Sequence, residues 1–325
     1  LYFDDEWILL PIDASSATIY LWRYEDGFTM KELLLYIRYG LTCVLYRVNK
    51  KKTLQYALEL ALIAEQLGWV FRAARSYYRI IKEYPEDARG YYGIAILNDN
   101  RKQYHKANDW YKKALEVNPK FIPAWFFLAG AAHETGDKQM AIECYQKVID
   151  LDPSNFWAYN NAGSICEELD RNTEALQYFR KALEIIPRQH KALFNIGVVL
   201  SKMGYEQKAQ EYYWESIRGY NRYPYSFLNL SLLYKNQKQL ERAIVVISEG
   251  IRCNPNASFL YYNRACFLAI TGNVDDAFID VVRAAKLNPS FIKYAEKDED
   301  LESVRKLPGY KALKKILSKQ EECNE

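Results

Sequence analysis

The sequence predicts an all-α protein built as a solenoid of stacked helical hairpins. Three observations carry this. A 34-residue pattern runs from Leu54 to Phe291 without insertion, giving seven units that start at 54, 88, 122, 156, 190, 224 and 258. The twentieth position of every unit is alanine: Ala73, Ala107, Ala141, Ala175, Ala209, Ala243 and Ala277. Proline closes most units, at Pro85, Pro119, Pro153, Pro187, Pro255 and Pro289. A period of this size marks a repeat array whose units share one continuous core, and it overrides the length-based expectation of two or three separate domains.

Residues 1–28 do not fit the period. Trp7-Ile8-Leu9-Leu10-Pro11-Ile12 is a short apolar run, and Ala17–Tyr24 is rich in β-branched and aromatic residues. This part reads as an irregular arm or a short helix packed on the first repeats. Phe28–Val48 reads as a helix with a broad apolar face of Leu33, Leu34, Ile37, Leu41, Val44 and Leu45, suited to covering an open end of the array. Arg47 and Lys50–Lys52 form a brief basic linker, expected to be a solvated turn.

Within the repeats, the eighth position is always small: Ala61, Ala95, Ala129, Gly163, Gly197, Ser231 and Ala265. Two helices approach closely only where the side chains at their crossing are nearly absent, which accounts for this column and for the alanine column together. Large residues fill the space between. The fourth position carries Tyr91, Trp125, Tyr159, Leu193, Phe227 and Tyr261. The twenty-fourth carries Tyr77, Tyr111, Tyr145, Phe179, Tyr213, Ile247 and Val281. Proline ends the second helices because it cannot continue them, and the missing member of that column is Asn221, with Pro224 displaced. Gly68, Gly136, Gly204 and Gly272 fall where a helix end takes a left-handed residue. Lys102, Asp170 and Lys238 hold that place in the alternate units, so those turns are expected to be less favourable or differently shaped.

These columns resemble the tetratricopeptide repeat (TPR) family: a large residue at 4, a small one at 8, alanine at 20, an aromatic at 24 and proline at 32. The resemblance covers residues 54–291 and implies a right-handed superhelix, with first helices lining an inner groove and second helices outside. The chain then divides into an arm and capping helix (1–53), seven repeats (54–291) and a C-terminal cap with tail (292–325). Ile292–Ala295 is expected to begin one more helix. AEKDEDLESVRKLPGYKALKKIL is similar to a short module that closes bacterial arrays of this family, and a polar-faced cap is what an exposed last hairpin needs. The tail from Ser318 is expected to be disordered.

Composition excludes several functions. Net charge is +3 on 44 basic and 41 acidic side chains, too balanced to gather nucleic acid or an anionic membrane. No stretch is long and apolar enough for a membrane span. Six cysteines at 43, 144, 166, 253, 266 and 323 form no CxxC pair, as expected of buried thiols in a reducing, cytoplasmic setting. The first residue, Leu1, suggests a fragment of a longer or anchored chain. His105, His133 and His190 are the only histidines, and none has ligand-like spacing to a carboxylate or thiol, so no metal or other cofactor is expected. No phosphate-binding glycine loop or nucleophile elbow occurs. Glu167-Glu168, Asp275-Asp276 and Asp298–Asp300 read as solvated helix faces or caps, and no catalytic residue or enzymatic activity is expected.

The informative constellation is polar. Asn161, Asn195, Asn229 and Asn263 recur at the sixth position of four successive units. They lie off the hairpin-packing stripe, toward the groove. An asparagine offers one acceptor and an amide donor, so it can pair with both backbone groups of an extended peptide without reading side chains. The row resembles the asparagine ladder in the repeat arm of the O-linked N-acetylglucosamine transferase, where the resemblance implies bound peptide. The alternative is an asparagine that bonds within its own hairpin or to water. Upstream, the sixth position holds Glu59, Gly93 and Phe127, and aromatic residues gather at Tyr92, Phe126, Phe127 and Trp157, candidate side-chain anchors. The chaperone-tail carboxylate clamp of the family fails here: the ninth positions hold no asparagine, and Lys191 stands at a second position without the rest. The expected function is a scaffold that binds a partner's extended peptide. The alternatives are the targeting arm of a larger enzyme such as a transferase, RNA binding, which the charge disfavours, and self-association through residues 1–28.

Overall fold

The computed structural model describes residues 30–48 and 53–322. The arm at 1–28, the lysines of the linker at 50–52 and the last three residues lie outside the described residues. Eighteen α-helices and a single 3-10 turn make up the described elements, and no strand occurs among them. The chain divides into two compact units, Leu1–Gly136 and Asp137–Glu325.

In the first unit, α1 (Met30–Val48) precedes the hairpins α2/α3 (Thr53–Gln66, Val70–Glu83) and α4/α5 (Ala88–Asp99, Tyr104–Val117), followed by α6 (Ile122–Glu134). Tyr36 and Tyr39 of α1 meet the Trp69 ring edge-on at 5.0 and 5.2 Å, which docks α1 on the first hairpin. The second unit opens with α7 (Lys138–Leu151). It continues with α8/α9 (Phe156–Glu168, Asn172–Ile185), α10/α11 (His190–Lys202, Glu206–Gly219), α12/α13 (Pro224–Asn236, Leu240–Cys253) and α14/α15 (Ser258–Ile270, Val274–Leu287). First helices therefore begin within one residue of the 34-residue frame.

The alanine column explains the hairpin. All seven of these residues are fully buried, and the large residue four positions on closes over the small one of the facing helix. A Cβ built on Gly163 would lie 2.7 Å from Phe179 Cε1, and one on Gly197 would lie 2.6 Å from Tyr213 Cε1. The ring of position 24 thus occupies the volume that a larger residue at position 8 would need. In the last hairpin, Arg264 adds a bidentate pair to buried Asp280 (2.6 and 2.8 Å) and a bond to the Ser248 hydroxyl (3.0 Å).

The turns inside the hairpins correct the expectation of a different shape. Lys102, Asp170 and Lys238 have φ of 59, 56 and 61°, the same left-handed region as Gly68 (69°), Gly204 (79°) and Gly272 (85°). The closing bonds match as well. The N–H groups of Gln103, Arg171 and Gln239 donate to the Asn98, Cys166 and Tyr234 carbonyls at 2.9, 2.8 and 2.9 Å, as Tyr205 does to Leu200 at 2.9 Å. Packing on both sides imposes one turn shape, whatever side chain occupies it. Pro224 is also reassigned: it opens α12 at its first position instead of ending α11, where its fixed φ suits a helix start.

The C-terminal segment forms α16 (Ser290–Ala295), a 3-10 turn (Glu299–Leu301), α17 (Glu302–Arg305) and α18 (Pro308–Glu322). Leu301 and Val304 are fully buried, and Arg305 donates to the carbonyls of Ala295 (2.9 Å) and Asp298, so the LxxxR pattern is a plug fastened by a guanidinium. The tail expectation is corrected in part: Ser318–Glu322 continues α18, since Lys319, Gln320 and Glu321 all favour helix.

Three outcomes are expected for stability, all read from urea-unfolding midpoints. Gly197→Ala drives a methyl into the Tyr213 ring and is expected to cost about 1–3 kcal/mol. Gly130→Ala, where a Cβ meets nothing within 4 Å, is expected to gain about 0.5–1 kcal/mol from the helix backbone alone. Equal effects would contradict the ring-over-glycine packing. Lys238→Gly relieves a left-handed side-chain residue and is expected to stabilise by about 1 kcal/mol; a loss of stability would show that the lysine side chain itself holds the turn.

Candidate functional site

Positions 2, 5, 6, 9 and 12 of the first helices fall on one face by the 3.6-residue repeat. In the second unit this face carries the asparagine row, on α8, α10, α12 and α14. Every amide donates into the protein. Asn161 donates to the Tyr145 hydroxyl at 3.1 Å and accepts from Asn160 at 3.3 Å. Asn195 donates across hairpins to Asn160 Oδ1 at 3.1 Å and Ser164 Oγ at 3.4 Å. Asn229 and Asn263 donate one turn back, to the carbonyls of Tyr225 (3.0 Å) and Phe259 (2.8 Å). The carbonyl oxygens of Asn195, Asn229 and Asn263 accept no hydrogen bond among the described residues. An amide group has two hydrogens: Asn195 commits both, whereas Asn229 and Asn263 each keep a second donor.

A stripe at position 2 borders the row. Trp157 is 44% exposed and Tyr225 48%. The Lys191 ammonium lies 5.0 Å over the Trp157 ring, and Tyr225 stacks on Phe259 at 5.1 Å and 15°. Lys191 has no carboxylate partner among the described residues.

In the first unit the sequence-predicted aromatics come together. Tyr92 meets Phe127 at 6.0 Å, and Phe127 meets Phe126 at 5.6 Å. Sequence reasoning missed two further members, Phe121 at 5.3 Å and Tyr111 at 5.9 Å from Tyr92. At the sixth position of α4 no side chain fits: a Cβ on Gly93 would lie 2.2 Å from the Tyr77 ring of the preceding hairpin.

Position 12 was also missed, although its first two members, Glu65 and Asp99, are both acidic. Glu65 accepts from the Tyr77 hydroxyl at 3.0 Å and Asp99 from the Tyr111 hydroxyl at 2.8 Å. Burial raises both carboxyl groups above the usual carboxylate range against these hydrogen bonds, and the charge of Glu134 raises Asp99 further. Burial, with Glu65 and Asp99 nearby, pushes the Tyr92 phenol up to about 12. Aromatic cluster and carboxylates therefore form one neighbourhood.

The acidic run Asp298–Asp300 is not a solvated cap alone. Asp298 caps the 3-10 turn and also accepts from Tyr262 (2.6 Å) and the Cys266 thiol (3.5 Å), while Asp300 accepts from Lys235 (2.5 Å). Cys266, Asp298 and Asp300 stand close enough to surround a cation. The Lys235 ammonium already neutralises that corner, and burial pushes the Cys266 thiol well up, so it remains a protonated, weak ligand. The donor set does not fit a metal. Glu167 and Glu168 pair with Lys202 and Lys138, and Asp275 and Asp276 are exposed in the first turn of α15. Among the described residues no helix is long and apolar enough to cross a membrane.

Models of the tetratricopeptide repeat match residues 88–121, 158–189 and 190–218, and a TPR-repeat model matches 130–170. No curated protein matches the chain. Among solved structures, a tetratricopeptide repeat protein from Parabacteroides merdae is 17% identical with a TM-score of 0.60, covering 73% of this chain and 94% of its own. The pilF protein of Pseudomonas aeruginosa is 22% identical with a TM-score of 0.53, covering 65% and 96%. A chain of the APC/C hetero-tetramer Cut9–Hcn1 is 15% identical with a TM-score of 0.55; the match covers 86% of this chain and about half, 52%, of that one. At these identities the likeness is one of fold.

The raised Asp99 carboxyl sets a pH dependence. The folded state holds this proton to higher pH than the unfolded chain, so the group's stabilising contribution is full below the unfolded value, about 3.9. It is lost as pH rises through the raised folded value. Asp99→Asn keeps an acceptor for Tyr111 and removes the titration. The variant is expected to match the wild type near pH 4 and to exceed its urea midpoint by pH 7. A difference that stays constant across that range would refute the assignment.

Proposed function

Since the chain is a tetratricopeptide-repeat protein, we propose that it is a non-catalytic scaffold that holds an extended segment of a partner protein against its first helices. The observation that carries this reading is the row Asn161, Asn195, Asn229 and Asn263, three of whose carbonyl oxygens remain open although all four amides are anchored. An anchored amide loses little side-chain entropy on binding, so it is preorganised. An open oxygen accepts from a peptide N–H, and at Asn229 and Asn263 the second hydrogen donates to a peptide carbonyl. Contacts of this kind read the backbone and not the sequence. Selectivity then comes from side-chain anchors: Trp157 beside the row, and Tyr92, Phe126 and Phe127 in the first unit.

A backbone hydrogen bond is worth about 1 kcal/mol net, so losing four of them weakens binding on the order of several hundredfold. The test uses random 16-residue peptides displayed and selected on the full chain. Recovered peptides are then titrated by fluorescence anisotropy against the wild type and a variant carrying Asn161→Ala, Asn195→Ala, Asn229→Ala and Asn263→Ala. Recovered peptides are expected to bind the folded variant at least a hundredfold more weakly. Equal affinities, or failure to recover any peptide, would remove the row from the binding surface.

A further inference from the structure

The exposed face of α2, α4 and α6 is apolar along one edge and anionic along the other. Leu62 is 53% exposed and Phe127 41%, with Tyr92, Ile96 and Phe126 half-buried between them. Gly130, at the ninth position of α6, leaves open space beside this edge. Three carboxylates follow in the last turn of these helices: Glu65, Asp99 and Glu134. Their neighbourhood is documented by their mutual and shared effects, since Glu134 acts on Asp99, and both Glu65 and Asp99 act on Tyr92 and Tyr111. None of the three has a cationic partner among the described residues. By contrast, Glu59 on the same helix as Glu65 is paired with Arg38 at 2.7 Å, and Asp87 with Arg89 at 2.6 Å.

Glu65 and Asp99 are half-buried and Glu134 is exposed; carboxylates half withdrawn from water, as the first two are, are costly unless a cation meets them. Aromatic faces beside them add attraction for the same cation. We propose that this face of the first unit binds a partner segment in which lysine or arginine side chains alternate with leucine or aromatic ones. The apolar side chains lie on Leu62, Ile96 and Phe127, and the cations reach Glu65, Asp99 and Glu134. Charge decides the occupant. Residues 1–28 carry Asp4, Asp5, Glu6, Asp13, Glu25 and Asp26 against a single Arg23, so the chain's own arm has the wrong sign for this face. The proposal rests on reading first-helix faces as peptide-binding surfaces, but it uses no asparagine of the row.

The test uses the full chain and three fluorescein-labelled 12-residue peptides with identical leucine and phenylalanine positions. Lysine, glutamine or glutamate fills the places between. Because the protein carries net charge +3, non-specific attraction does not favour the lysine peptide. In anisotropy titrations at low salt the lysine peptide is expected to bind at least tenfold more tightly than the glutamine peptide, with the gap narrowing as salt is raised; the glutamate peptide is expected not to bind. A variant with Glu65→Gln, Asp99→Asn and Glu134→Gln keeps its tyrosine acceptors, and is expected to lose the lysine preference while retaining apolar binding. Phe127→Ser is expected to weaken the lysine and glutamine peptides alike. Equal binding of those two peptides, no binding of any peptide, or a lysine preference that survives in the triple variant would overturn the proposal. The asparagine variant described above leaves this face intact, so failure of the row and failure of this face are separately visible.

Discussion

The close crossing of two helices is the constraint on which the rest depends. Where a fully buried alanine faces a small residue, the helices approach near enough for one large ring to roof the crossing, as Tyr213 does over Gly197 and Phe179 over Gly163. Everything else is scheduled by that contact. The turn must reverse the chain within a few residues, which forces a left-handed residue at its centre. The next hairpin must then bury the flank that the ring leaves exposed. An isolated hairpin has nowhere to put these rings, so folding and stacking are the same event.

The same crossing places the functional candidates. Positions 4, 8, 20 and 24 are consumed by packing, while positions such as 2, 5, 6, 9, 12 and 13 of the first helices vary in chemistry. The two units use this freedom differently. One presents rings and carboxylates, the other amides, an aromatic stripe and lysine. Anchoring and availability also coexist in the amides of Asn229 and Asn263, because a group with two hydrogens and one oxygen can hold its own helix and still offer one of each.

The architecture was legible because many columns report one geometry. Alanine at 20 and small residues at 8 can be read without coordinates, and they fix helix starts at Ala88, Ile122, Phe156, His190, Pro224 and Ser258. Features that depend on which side chain meets which were less legible. The left-handed turns at Lys102, Asp170 and Lys238 escaped because local preference argues against them and packing overrides it. The asparagines were recognisable as a row, but their internal bonds to Tyr145, Asn160 and Ser164 come from the stacking of separate hairpins. Glu65 and Asp99 were visible as residues, yet their significance lies in partial burial and missing cations, which no spacing rule reports.

The hydroxyls at position 24 carry a last consequence. Tyr77 and Tyr111 are satisfied from within their own hairpins, by Glu65 and Asp99, whereas Tyr145 reaches forward to Asn161 of the hairpin that follows it. Phe179, in the next unit, has no hydroxyl to satisfy. Hairpins that look interchangeable in outline are therefore addressed to particular neighbours. Shuffling them, or duplicating one into another place, would strand a buried phenol beside a ring or confront an asparagine with nothing to hold. The array has a grammar of order, written in its tyrosines, and recombination among its repeats would have to respect it.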